Sequence, residues 1–124
     1  MLSNFNVSPV LAVKDLASAT QFYGGVLGLQ PATENDYEIY YKTGGGTLEV
    51  YVSSYAGTNQ ATAATWEVTG IETLVSDLKD KGINFEHYDM PGAKLEGDIH
   101  VMEGMKAAWF KDPDGNILCL HQGS

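Results

Sequence analysis

Residues 13–29 read VKDLASATQFYGGVLGL, and residues 109–118 read WFKDPDGNIL. In the first stretch, Asp15 is placed to cap a helix N-terminus, because its carboxylate can accept an otherwise unpaired backbone N–H. Leu16, Ala19, Phe22, Tyr23 and Val26 recur at three- and four-residue spacing, giving the helix one apolar face. Gly24 and Gly25 weaken its last turns, and Gly28 stops it. In the second stretch, DPDG (112–115) is turn chemistry between two strands, KAAWFK and NILCLHQ.

Working outward, VSPVLAV (7–13) is a short apolar run that suits a buried strand. YEIYYK and TLEVYVS are strands joined through Gly44, Gly45 and Gly46 as a hairpin. SYAGTNQATA is small and polar and connects two halves. The second half repeats the plan: ATWEV is a strand, IETLVSDLKDKGI is a helix with an Ile71, Leu74, Val75, Leu78 stripe, and Gly82 ends it. NFEHYDM reads as a strand. PGAKLEGDIHVMEG (91–104) reads as an irregular loop with a weak strand, either a lid, with Met90, Met102 and Met105, or a plain connection. Val13, Leu16 and Gly28 correspond to Val68, Ile71 and Gly82, about 55 residues later, a weak internal repeat. The predicted class is α+β, a single domain over 1–124, with module 1 at about 5–55 and module 2 at about 62–122.

Bulk properties narrow the function. A hydrophobic fraction of 44% is that of a globular chain. Cys119 is the only cysteine, so no internal disulfide forms, which fits a reducing compartment. The net charge of −9 disfavours nucleic acid and anionic membranes as partners. No apolar run approaches the ~18 residues of a spanning helix, and the N-terminus lacks signal-peptide character. The expected location is the cytoplasm.

The two quoted stretches, at opposite ends of the chain, resemble the vicinal oxygen chelate superfamily: glyoxalase I, bleomycin-resistance proteins, extradiol dioxygenases and relatives. The resemblance implies two βαβββ modules whose mixed sheets curl around a cup-shaped pocket, helices outside, with a small-molecule site inside and common homodimerisation. It also implies four metal-ligand positions in the metal-dependent members, of the types His or Gln, Glu, His or Gln, and Glu. Those positions fall at Ser8, Glu49, Ala64 and Cys119. Only Glu49 matches a usual ligand, so no metal and no cofactor are predicted. A site of Glu49, Cys119 and His121 is a conceivable exception.

Glu49 therefore has two readings. It is a desolvated carboxylate suited to acid–base work, the one catalytic candidate, or to holding a cationic ligand. Alternatively it is a remnant hydrogen-bonded to Ser8 or a tyrosine. Cys119 reads as a small buried hydrophobe more readily than as a nucleophile. Strand alternation extends the predicted ligand-binding wall to Tyr37, Ile39, Tyr41, Tyr51, Trp66, Ala108, Phe110 and His121, and turns Trp109 toward the helices. The function this implies is metal-independent binding of an aromatic or partly apolar, cationic or neutral organic compound. The alternatives are a lyase, isomerase or dioxygenase of the same fold, metal-dependent or working through Glu49, and an interaction module with a plugged cup.

Overall fold

The computed structural model describes residues 1–123. The chain divides into two compact units, Met1–Ala63 with Pro113–Asn116, and Ala64–Asp112 with the strand that starts at Ile117. Both are α+β, each a sheet with a helix on one face.

In the first unit the strands are β1 (Val10–Val13), β2 (Gln30–Glu34), β3 (Glu38–Thr43) and β4 (Gly46–Val52), in the spatial order β1-β4-β3-β2. β1 runs parallel to β4, whereas β2–β3 and β3–β4 are antiparallel. Leu11, Val13, Ile39, Tyr41, Leu48 and Val50 are all buried and form one face of the sheet. Helix α1 (Leu16–Ala19) supplies the other core layer. Asp15 caps it as the sequence predicts, accepting the Ser18 N–H at 2.7 Å. Instead of running on as an α-helix, residues Thr20–Val26 form a π-helical turn, in which the Leu27 N–H reaches the Phe22 carbonyl at 2.9 Å. The glycine pair in this stretch lowers the cost of that widening. The adjacent Phe22 and Tyr23 are both buried there, with ring centroids 5.1 Å apart.

β2 is a strand the sequence does not signal. It is an edge strand exposed along its whole length, with a register shift at Pro31/Thr33. Without a buried side it carries no period-two pattern, and proline is tolerated at such an edge.

In the second unit, β5 (Thr62–Glu67), β10 (Ile117–Gly123), β9 (Met105–Lys111), β8 (Ile99–Met102) and β7 (Lys94–Glu96) lie in that order, and β6 (Phe85–Glu86) pairs with the far end of β9. Helix α2 (Ile71–Asp80) buries Ile71 and Val75. Gly70 precedes it in the left-handed region, and the Gln122 side chain accepts the Ile71 N–H at 2.9 Å, satisfying a helix-end donor. Residues 91–104, read as irregular, instead contain β7 and β8 as an antiparallel hairpin. The pattern was hidden because Lys94–Glu96 is exposed on both sides. Conversely, NFEHYDM contributes only Phe85–Glu86 as a strand.

Pro113–Asn116, from the DPDG turn onward, belong to the first unit. The Asn116 amide donates to the Ala12 carbonyl at 2.7 Å, and the Lys14 N–H donates to Asp114 at 3.2 Å. Gly57 lies against the Asp114 carbonyl so closely that a Cβ would collide with that oxygen, and its φ is +72°. Gly28 has a similar φ of +75° but open space around it. Gly57→Ala should therefore cost about 3 kcal/mol or more, combining backbone strain with a steric clash. Gly28→Ala should cost only about 1 kcal/mol. Urea denaturation of the two variants checks the difference.

Candidate functional site

On each sheet the face away from the helix carries the polar and aromatic side chains that could meet a ligand. In the first unit, antiparallel pairing sets Tyr40 opposite Glu49, Glu38 opposite Tyr51, and Lys42 opposite Thr47. Directly opposed residues share a face. Thr47, Glu49 and Tyr51 therefore lie together, as alternation predicts, and their neighbours are Glu38, Tyr40 and Lys42. Ile39 and Tyr41, expected on this face, are instead buried with Val50 and Leu48 on the helix side. Tyr37 lies outside β3 and is exposed. The cause of the reversal is the two-residue loop Gly44–Gly45. It pairs Thr43 with Gly46, so odd-numbered residues of β4 meet even-numbered residues of β3.

Two hydrogen-bonded pairs occupy this face. Ser8 Oγ and Thr47 Oγ1 are 2.6 Å apart. The Tyr40 hydroxyl donates to the Glu49 carboxylate, and this bond, followed by desolvation and the charges of Glu38 and Glu49, raises the tyrosine above its ordinary value. Glu49 is thus held by a tyrosine, one of the two readings its sequence position allows. Glu38 and Glu49 together give the face an acidic character.

In the second unit, β9 and β10 pair Cys119 with Trp109, His121 with Ala107, and Leu118 with Phe110. The face of Cys119 therefore holds Ile117, His121, Ala107 and Trp109. Ala108 and Phe110, expected here, pair with Leu120 and Leu118 on the opposite, buried face, and Trp109 takes the place assigned to them. The five residues Asp112–Asn116 separate paired Lys111 and Ile117, so odd meets odd in this hairpin. On β5 the Thr65 hydroxyl is hydrogen-bonded to the Cys119 thiol, and Glu67 binds His121. Thr65 and Glu67 thus share the face of Cys119, and alternation turns Ala64 and Trp66 the other way.

The Glu67 carboxylate accepts from His121 Nδ1 at 2.6 Å and from the Gly123 N–H at 3.0 Å. These contacts, the histidine first, hold its carboxyl below the usual range. Further along, His100 pairs with Ala107 and so joins this face. Its ring lies 4.9 Å from Trp109 edge-on and 6.1 Å from Tyr88, stacked, between centroids. Sequence reasoning missed Tyr40, Thr65, Tyr88, His100 and Trp109. For Tyr40 and Trp109 the signal was available in the loop lengths of the two hairpins.

The donor set does not fit the four-ligand metal centre that the fold family implies. Ser8 is engaged by Thr47, Ala64 has no donor and faces away from Cys119, and the Cys119 thiol is held protonated. Among the described residues, no three of His, Cys, Asp or Glu gather as a metal site.

Burial pushes the Cys119 thiol up to about 11, against smaller opposing effects of the Thr65 hydroxyl and the Ala108 backbone. At pH 7 only about one thiol in ten thousand is ionised, compared with about one in thirty for a free cysteine. Native protein should therefore react with iodoacetamide at least about 100-fold more slowly than denaturant-unfolded protein at the same pH. Mass-spectrometric alkylation time courses measure this.

Comparison with known proteins agrees with this architecture. The profile of the Glyoxalase/Bleomycin resistance protein/Dioxygenase superfamily matches residues 7–120. The metallothiol transferase FosB of Staphylococcus saprophyticus is 26% identical over 119 aligned residues, covering 91% of this chain and 73% of that protein. A glyoxalase family protein from Enterococcus faecalis superposes with a TM-score of 0.74 at 22% identity, over 98% of this chain and 99% of that one. A bleomycin-binding protein solved with bleomycin superposes with a TM-score of 0.73 at 20% identity, over 97% and 99%. No helix among the described residues is long and apolar enough to cross a membrane. With the profile spanning nearly the whole chain and the paired sheet-and-helix units to match, the protein belongs to the Glyoxalase/Bleomycin resistance protein/Dioxygenase superfamily.

Proposed function

We propose that this protein binds a small organic molecule without a metal, holding an aromatic or partly apolar compound against a polar–aromatic sheet face. The carrying observation is the donor set. Of the four positions at which metal-dependent relatives place ligands, only Glu49 offers a carboxylate, and Tyr40 already donates to it. A tyrosine-held carboxylate still has lone pairs to accept a second donor, and Glu38 shares its face, which favours a cationic group. Within the second unit, taken by itself, Trp109, Tyr88 and His100 supply stacking surface. The structural relative that holds bleomycin supports binding as an activity this fold can carry. A homodimer working in the cytoplasm fits the reading.

Similarity to a metallothiol transferase favours the second reading, an enzyme of the same fold, metal-dependent or using Glu49. The two separate on metal content and on Glu49. Protein purified without chelator should carry well under a tenth of an equivalent of Ni, Zn, Mn or Fe. Cationic aromatic compounds should raise its melting temperature. Glu49→Gln should weaken their binding about tenfold, with little change in the stability of the free protein. One equivalent of metal that is lost in Glu49→Gln would establish the enzyme reading, and no thermal shift across the panel would sink the binding one.

A further inference from the structure

His100 is a polar side chain set deep in the second unit. It is 1% exposed. The Tyr88 backbone N–H donates to its Nε2 at 2.9 Å. A ring nitrogen that accepts carries no proton, so the ring is neutral with its hydrogen on Nδ1. That Nδ1–H is buried and has no hydrogen-bond partner among the described residues. An unmet buried donor costs roughly 1–3 kcal/mol, and native structures leave few of them.

The same histidine lines a recess of about 340 Å³ with Tyr88, Asp89, Met90, Ala93 and Leu95. This is within the size range of small-ligand sites. Its walls are mostly apolar, and Tyr88 is stacked on His100. The neighbouring His87, which also lines the recess, is already held by Asp98 at 2.7 Å, and Asp98 also pairs with Lys79. Those two side chains are already paired, while Asp89 adds negative charge to the wall. An anionic ligand is therefore disfavoured, and the unmet requirement is one acceptor atom on an uncharged group.

We infer that this recess is a binding subsite for an uncharged aromatic carbonyl or amide, with His100 Nδ1–H donating to its oxygen and Tyr88 flanking its ring. The inference rests on the reading of the chain as a small-molecule-binding protein, and adds a place and an acceptor chemistry to it. Because Nδ1 is buried, the side chains over it must shift for the oxygen to reach it, and Met90 and Leu95 in the recess lining are the adaptable ones. Both are flexible enough to do so, Leu95 being partly exposed.

The test is a titration of full-length protein followed by ¹H–¹⁵N NMR of the histidine rings and backbone amides. The probes are benzamide, toluene, benzoate and benzamidine. Benzamide should shift the His100 Nδ1 and Tyr88 amide signals. Toluene has the ring without the acceptor and should bind about tenfold more weakly, the loss expected when a buried donor stays unpaired. At this recess, read from the His100 Nδ1 signal alone, benzoate and benzamidine, charged, should also be weaker than benzamide. His100→Phe should remove the preference for benzamide over toluene. Ala93→Trp, which keeps the histidine but fills the recess, should abolish binding of both; it decides the matter if His100→Phe does not fold. The inference is overturned if benzamide leaves His100 Nδ1 unmoved at tens of millimolar, if toluene or a charged probe matches it, or if Ala93→Trp binds normally. A compound that raises the melting temperature while His100 stays unmoved overturns this subsite and leaves the broader binding function standing. Failure of every compound to raise it removes that function itself.

Discussion

The loop Gly44–Gly45 closes β3 onto β4 with Thr43 opposite Gly46, and every facing relation in the first unit depends on that closure. A hairpin loop of two residues admits one register, and a slip of one residue would exchange the two faces of the strand. The register puts Ile39 and Tyr41 against the helix with Val50 and Leu48, where their apolar surface is buried. It puts Tyr40 beside Glu49, where a hydroxyl can meet a carboxylate. Core and candidate site are the two sides of one pairing decision.

The second unit shows the same dependence with the opposite parity. Five residues between Lys111 and Ile117 bring Trp109 opposite Cys119. The tryptophan then continues into an aromatic group with His100 and Tyr88. Cys119, between Trp109 and Thr65, is desolvated until its thiol cannot ionise near neutral pH. The sulfur consequently acts as packing. The neighbouring Trp109, His100 and Tyr88 offer hydrogen-bonding and stacking groups at this face.

Charge is distributed differently in the two units. Glu38 and Glu49 share the face of the first unit, whereas in the second unit Glu67 is engaged by His121 and Asp98 by Lys79 and His87. In the second unit, the aromatic recess lies beside Asp89, and its other walls are mostly apolar. The first face offers an acceptor.

Much of the fold was legible in the residues themselves. Asp15 as a cap, the apolar stripes of both helices, the glycine stops at Gly28 and Gly82, and the DPDG turn are local features, decided by groups a few residues apart. The family followed from the same motifs. The π-helical turn after Ala19, the exposed edge strand β2 and the β7–β8 hairpin were not legible, because none of them carries a buried periodic pattern. The absence of a usual ligand set was equally a matter of residue types: no arrangement makes Ala64 a donor. Facing was different. Ile39, Tyr41, Ala108 and Phe110 are good wall residues by composition, and only cross-strand pairing sends them to the core and brings Tyr40 and Trp109 out. His100 is the extreme case. Its type says nothing about its role, and burial, the Tyr88 N–H and an unmet Nδ1–H arise only when Tyr88, His100 and Trp109, distant in sequence, are brought together by the sheet. The sequence by itself determined the caps, glycine stops, turns and helical stripes, and which donors exist. The tertiary structure alone decided which side chains face each other, because hydrogen-bonded register couples residues that no local pattern links.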